Sequence, residues 1–326
     1  MIVRSALEEL VVEPLVIPES IDVPEAGAFL AVCRLVDQAE LELWGNTDRA
    51  ATSAQRLRSW RSDEYNDLRM FVARLDGEVV GRLWVVMPLR ENKGKAELNV
   101  LVGQPWRGRG IGRALIERAE QIAAQQGRTI LEGYTEQPAD FDPDSVALLA
   151  PVSGTGALPA DSRDVLFLQR NGYTLEQVER FSVLQLPLDE AEVQALERTA
   201  AERSAGYRIL SWVGKCPQHL VEEYAGLCAR MATDAPTAGL HYEEEIWDEK
   251  RVRSDEDEAI DAGSSLQVSA AQHLETGRLV AYTVLTKAEG KDTLEQDDTL
   301  VAMGFRPAGC DGEWQKKTDD DGAVPR

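Results

Sequence analysis

The sequence predicts an α/β chain: a mixed, mostly antiparallel central sheet flanked by helices, followed by a second, incomplete copy. Three observations predict it. The chain has 326 residues, more than one core usually serves, so two domains are expected. Asp76-Gly77 separates two apolar runs, Met70–Leu75 and Val79–Met87, which marks an antiparallel hairpin. The element order β-α-α-β-β occurs twice, an internal repeat that points to two copies of one fold.

The elements follow in order. Leu10–Ile17 reads as a first strand. Pro24 opens a helix whose apolar stripe is Phe29, Val32, Cys33, Val36, Leu41 and Leu43. A second helix covers Ala51–Trp60, and the hairpin comes next. Asn92–Gly94 is a turn into the strand Ala96–Val102. A glycine-rich turn leads to a helix over Ile111–Gln126, with Ile111, Leu115, Ala119 and Ile122 on one face and Gly127 as its stop. Thr129–Tyr134 is the fifth strand. Gln137–Ala160, rich in Pro, Gly, Asp and Ser, reads as a long loop with one helical turn near Val146–Leu149. Asp161–Arg170 is a helix ended by Gly172, and Val178–Leu186 is a strand. These bound a first domain at 1–187, a helical linker at 188–205 and a second domain at 206–326. The second domain holds strands Tyr207–Val213, Leu266–Leu274 and Leu279–Thr286, with helices around Pro217–Met231 and Tyr242–Ala262.

Acidic residues number 57 against 35 basic ones, a net charge of -22, which disfavours nucleic acid and anionic membrane surfaces and favours a cationic partner such as an amine. The four cysteines, Cys33, Cys216, Cys228 and Cys310, form no CxxC pair, so neither a disulfide framework nor a zinc site is expected. No signal peptide and no apolar run of membrane-spanning length is present, so a cytoplasmic protein is expected.

The chemistry concentrates in Leu98–Gly112. A strand runs into a turn with glycines at 108, 110 and 112, then into an amphipathic helix. Those glycines leave backbone N–H groups unobstructed beside the free N–H groups of a helix start, an anion cradle suited to a pyrophosphate. Arg107, Arg109 and Arg113 add positive charge. A Walker A loop requires GxxxxGK[ST], which is absent. A dinucleotide turn requires GxGxxG after the first strand. Here Arg113 stands at the third glycine, and the turn follows the fourth strand.

The segment Arg107-Gly108-Arg109-Gly110-Ile111-Gly112 resembles the R/Q-x-x-G-x-G/A loop of the GNAT N-acetyltransferase family. Val102 sits where that family ends its fourth strand, and Phe167–Tyr173 resembles the ending of its last helix. The second half resembles the tandem two-domain actinobacterial type that includes mycothiol synthase, through Met231–Thr237, Glu245-Ile246-Trp247 and Thr276–Tyr282. After Val301 it departs from that type. No second loop follows, and Ala302–Pro307 resembles the end of a last helix, so a degenerate or truncated second domain is expected.

The resemblance implies splayed fourth and fifth strands, with acetyl-CoA as co-substrate. Its pantetheine arm would lie along Val100, Leu101 and Val102, and its pyrophosphate on Arg107, Gly108, Arg109, Gly110, Ile111, Gly112 and Arg113. It further implies transfer of an acetyl group to the primary amine of a small-molecule or peptide acceptor. Glu97 is the base candidate, on one face with Asn99 and Leu101. The tyrosine that usually protonates the departing thiolate is replaced by Leu168, leaving Tyr134 and Tyr173 as substitutes. That replacement supports an alternative: a non-catalytic acyl-CoA-binding regulator or scaffold. Trp212, Trp247 and Trp314 need burial, on the first half or in a homodimer.

Overall fold

The computed structural model describes residues 10–142, 144, 146–234, 237–296 and 306–318. The chain divides into two compact units: 1–179 with 237–241 and 310–326, and 180–236 with 242–309. In chain order the elements are β1 (Leu10–Pro14), α1 (Gly27–Trp44), α2 (Ser53–Ser59), β2 (Asn66–Leu75), β3 (Glu78–Pro88), β4 (Lys95–Val102), α3 (Ile111–Gln125), β5 (Ile130–Pro138), β6 (Leu148–Leu149), β7 (Leu158–Pro159), α4 (Arg163–Arg170) and β8 (Thr174–Val183). There follow α5 (Glu190–Arg203), β9 (Tyr207–Val213), α6 (Val221–Asp234), α7 (Glu249–Asp261), β10 (Ser264–His273), β11 (Leu279–Ala288), β12 (Glu295–Gln296) and β13 (Arg306–Lys317).

The first unit is built on a seven-stranded sheet in the order β1-β2-β3-β4-β5-β13-β8. β1 to β4 are antiparallel neighbours, while β4 and β5 pair in parallel. Asp76 and Gly77 both take positive φ in the hairpin turn between β2 and β3. One face packs on α3: Ala96, Leu98 and Leu131 meet Ile111, Leu115, Ala119 and Ile122. The other carries α1, where Val32 joins Leu15, Met70 and Val72. Helix α2 starts on a capping box, Thr52 accepting from the Gln55 N–H and Gln55 accepting from the Thr52 N–H.

The main difference from the sequence reading is β13. Its residues were expected in the second half, yet they form an interior strand of the first unit's sheet, between β5 and β8. The segment Arg-Pro-Ala-Gly-Cys-Asp-Gly-Glu-Trp-Gln-Lys-Lys shows no apolar alternation. Burial is secured by partners instead. Trp314 is wholly buried and donates to Thr135 Oγ1 at 3.0 Å. Gln315 donates to Glu132 at 2.9 Å, and Lys316 Nζ reaches Glu120 at 2.8 Å and the Asn171 carbonyl at 2.9 Å. A Cβ on Gly312 would stand 2.5 Å from Leu158 Cδ1, so any larger residue there must displace that buried side chain. Residues 302–305 of the segment expected to end a helix lie outside the described residues, and Arg306 and Pro307 open β13.

Smaller differences have local causes. The helical turn expected near Val146–Leu149 is the short ladder β6–β7, Leu148 opposite Pro159. β8 begins at Thr174, four residues before the expected Val178, directly after α4 closes on Gly172. α7 begins at Glu249 rather than Tyr242, because Asp248 caps it by accepting from the Arg251 N–H.

The second unit has a four-stranded sheet in the order β12-β11-β10-β9. Its core gathers Trp212, Cys216, Tyr224, Val252 and Val268, with Tyr224 edge-on to Trp212 at 5.5 Å and to Tyr282 at 5.1 Å. Trp247 packs beside this core under the Arg251 guanidinium, 4.6 Å from its ring centre.

Candidate functional site

β4 and β5 pair only at Lys95–Glu97 against Ile130–Glu132, although β4 runs on to Val102 and β5 to Pro138. Beyond that point the strands diverge. Gly103 donates to the Val80 carbonyl at 3.0 Å, which sets the alternation of the β3–β4 ladder. Leu101, Asn99 and Glu97 therefore bond toward β3. The N–H and C=O groups of Leu98, Val100 and Val102 point the other way, into the gap. The Leu98 carbonyl lies 3.2 Å from where a Cβ on Gly133 would sit, and Val102 O accepts from Arg107 Nε at 2.9 Å, as this alternation requires. Val100 thus presents an open peptide edge to the gap.

The glycine loop closes the end of that gap. Gly108 and Gly110 take φ of 74° and 87°, and Gly110 is the residue just before α3. Gly112 is small for another reason: a Cβ there would meet the Phe167 ring of α4 at 3.2 Å. No side chain caps α3, so its first N–H groups face outward with the positive end of the helix dipole. Arg107 is half committed. Besides Val102 O it pairs with Glu42 at 2.7 Å, tying the loop to α1. Arg109 donates to the Pro105 carbonyl at 3.0 Å. Arg113 is exposed and pairs with Glu117, one helical turn on.

Gap and loop open into one cavity of about 960 Å³. Val100, Leu101, Val102, Arg107, Gly108, Gly110, Ile111, Gly112, Arg113 and Tyr134 all line it. Arg109, Glu97 and Tyr173 do not. Glu97 stands on the α1 face of the sheet, opposite Glu132 in the parallel ladder. Burial raises its carboxyl, and Glu132 adds to that rise. Tyr173 lies in the core beneath α3 and α4, where burial and Glu120, which accepts from its hydroxyl at 3.4 Å, hold its pKa far above the ordinary value. Leu168, at the position of the missing acid, also lines the cavity.

Sequence reasoning missed the cavity's own carboxylates. Glu40 of α1 and Glu136 of β5 both line it. Burial raises each; Glu136 raises Glu40 further, and Arg49, 3.1 Å from Glu136, offsets both. Strand alternation was the available signal: Tyr134 and Glu136 share a face of β5. Tyr134 lines the same cavity, its hydroxyl pushed up to about 12 by burial, with Arg82 opposing the shift and Glu136, Glu97 and Glu40 reinforcing it.

A splayed β4–β5 pair, an open strand edge and a glycine loop at a helix N-terminus are the features that the resemblance to the GNAT family led one to expect. Residues 33–140 match the family model described as the acetyltransferase (GNAT) family. That match covers about a third of the chain and lies within the first unit; over its whole length the chain has the fold of tandem GNAT proteins. A tandem GNAT protein from the clavulanic acid biosynthesis pathway superposes with a TM-score of 0.64 at 17% identity, covering 98% of this chain and 100% of that one. A GCN5-related N-acetyltransferase from Sphaerobacter thermophilus gives a TM-score of 0.53 at 13% identity, covering 95% and 96%. No curated protein matches by sequence. The tandem arrangement has a counterpart in the first of these structures.

Proposed function

We propose that the protein transfers an acetyl group from acetyl-CoA to the primary amine of a small-molecule or peptide acceptor, in the cytoplasm. The observation that carries this reading is the open edge of Val100, leading straight into the glycine loop at the start of α3.

In this reading the pantetheine arm lies along Val100–Val102 and extends the sheet by one strand. The pyrophosphate rests on the N–H groups from Gly108 to Gly112, with Arg113 supplying mobile charge. Arg107 and Arg109 shape the loop through the Val102 and Pro105 carbonyls. The Val100 N–H polarises the thioester carbonyl. The amine nitrogen attacks that carbonyl carbon and the C–S bond breaks. Glu136, with Glu40 beside it, takes the proton from the ammonium; Tyr134 gives one to the departing sulfur. Glu97 sits outside the cavity lining and serves at most through water, and Tyr173 takes no step.

The test is release of free thiol from acetyl-CoA with a panel of amines, alongside calorimetric binding of coenzyme A. Gly110→Asp sets a carboxylate where the pyrophosphate would lie, and binding should be lost. Tyr134→Phe should retain binding and lower kcat by about 10²-fold, the size of a typical proton-transfer contribution. Binding with no turnover of any amine would instead support a non-catalytic acyl-CoA-binding protein, the reading that Leu168 in the acid position favours.

A further inference from the structure

Among the described residues, three arginines are more than nine-tenths buried: Arg56, Arg82 and Arg251. Arg56 pairs with Asp37 at 2.7 Å, and Arg251 with Glu245 at 3.0 Å. Arg82, on β3, has no carboxylate partner among the described residues. Its Nη1 donates to Asn99 Oδ1 at 2.8 Å and to the Asn99 carbonyl at 3.3 Å, and its Nε has no acceptor at all. It is 7% exposed and lines the cavity.

A guanidinium taken from water without a counter-ion is costly, and a protein that keeps one has a use for it. Arginine's flat fork matches a carboxylate with two parallel N–H bonds. Arg82 lies opposite Leu101 in the β3–β4 ladder, on the α1 face of the sheet. That is the face of Tyr134 and Glu136, and α1 brings Glu40 over it. Glu40 Oε2 is also buried without a partner. Arg49, Arg56, Arg107, Arg113 and Arg163 also line the cavity, but each has a carboxylate partner; Arg82 is a buried cation without one, and Glu40 keeps an unpartnered oxygen. Tyr134 feels both, since Arg82 lowers its pKa while Glu136 and Glu40 raise it. Neither carboxylate weighs on Arg82 itself, whose pKa burial lowers to about 10.

We infer that the acceptor is a small zwitterion, an amino acid or a molecule ending in one, whose carboxylate is held by Arg82 while its ammonium faces Glu40 and Glu136. Arg82 is then a specificity-determining residue. It selects against plain amines by the desolvated charge they leave unmatched. The inference rests on the acetyl-transfer reading above and names its acceptor class.

The experiment uses the full chain saturated with coenzyme A. Calorimetry compares lysine with cadaverine and γ-aminobutyrate with propylamine, pairs that differ by one carboxylate. The same four compounds are then assayed for thiol release from acetyl-CoA. At least one carboxylate-bearing member should bind about tenfold tighter, or more, than its counterpart. Arg82→Gln should erase that difference by raising KM for the acid alone, and Arg82→Lys should restore part of it. Retained coenzyme A binding by both variants shows that they fold. Should both variants fail to fold, the comparison of the four compounds on the unaltered chain decides alone. Equal affinity within both pairs overturns the inference, as does failure of every amino acid to bind. Loss of coenzyme A binding in the unaltered chain would overturn the acetyl-transfer reading instead.

Discussion

At the residue scale the cavity separates groups that the sequence could only rank by type. Glu97 was the visible candidate because it lies on the strand before the loop. Glu136 was hidden because β5 was expected to end at Tyr134, two residues short of it, and the strand runs to Pro138. Burial holds Glu136 above the ordinary carboxylate value of 4.5, so a base at this position must lose its proton at a higher pH than usual. Activity should fall as the pH drops through that raised value. Glu136→Gln should slow turnover by about 10²-fold at neutral pH and less in alkaline solution, where the amine is already deprotonated. A pH–rate profile of that variant matching the unaltered protein would remove Glu136 from the reaction. Glu313 of β13 gives a stability prediction. Burial, with Glu179, Glu97, Asp311 and Glu132 adding to it, pushes its carboxyl up to about 8. Between about pH 4.5 and 8 the unfolded chain gives up this proton while the folded chain keeps it, so stability falls as the pH rises through that window. Melting curves at pH 6 and 9 should show that decline, and Glu313→Gln should flatten it.

At the element scale the legible parts were those with a strong local signal. The hairpin of β2 and β3 announced itself through Asp76-Gly77, and α3 through its apolar face and glycine start. The order of β1 to β5 followed from those. β13 gave no such signal because its two faces are buried by pairing rather than by apolarity. Glu132, Glu120 and Thr135, scattered far up the chain, supply the partners that make a polar segment fit for a sheet interior. A one-dimensional reading has no access to partners nearly two hundred residues away. Trp314 should carry much of the strand's hold. Its removal in Trp314→Ala leaves a large void and an unmatched Thr135, and urea unfolding should show a loss of about 3–5 kcal/mol. A loss under 1 kcal/mol would mean that β13 is held mainly by its ladder.

For the whole molecule, the two units share an order of elements but not a site. The loop, the open strand edge and the cavity described above all belong to the first unit, and among the described residues of the second no glycine loop precedes a helix. Calorimetry with coenzyme A should therefore show one site per chain; two would require a second cradle. A helical linker was expected at 188–205, and α5 spans Glu190–Arg203 there. That division did not capture the return of the chain to the first sheet, since that depends on a strand without a hydrophobic pattern.

That return has a consequence during synthesis. A ribosome makes β1 to β8 first, then the whole second unit, and only afterwards the strand that belongs between β5 and β8. At 5–20 residues per second the nascent chain waits roughly 7–27 s between Val183 and Lys317 with that slot in its sheet open. Two strand edges stand unpaired throughout, in a form that invites pairing with neighbouring nascent chains. The first unit, though its synthesis begins first, is finished last, and any pause in translating the second unit lengthens its exposure.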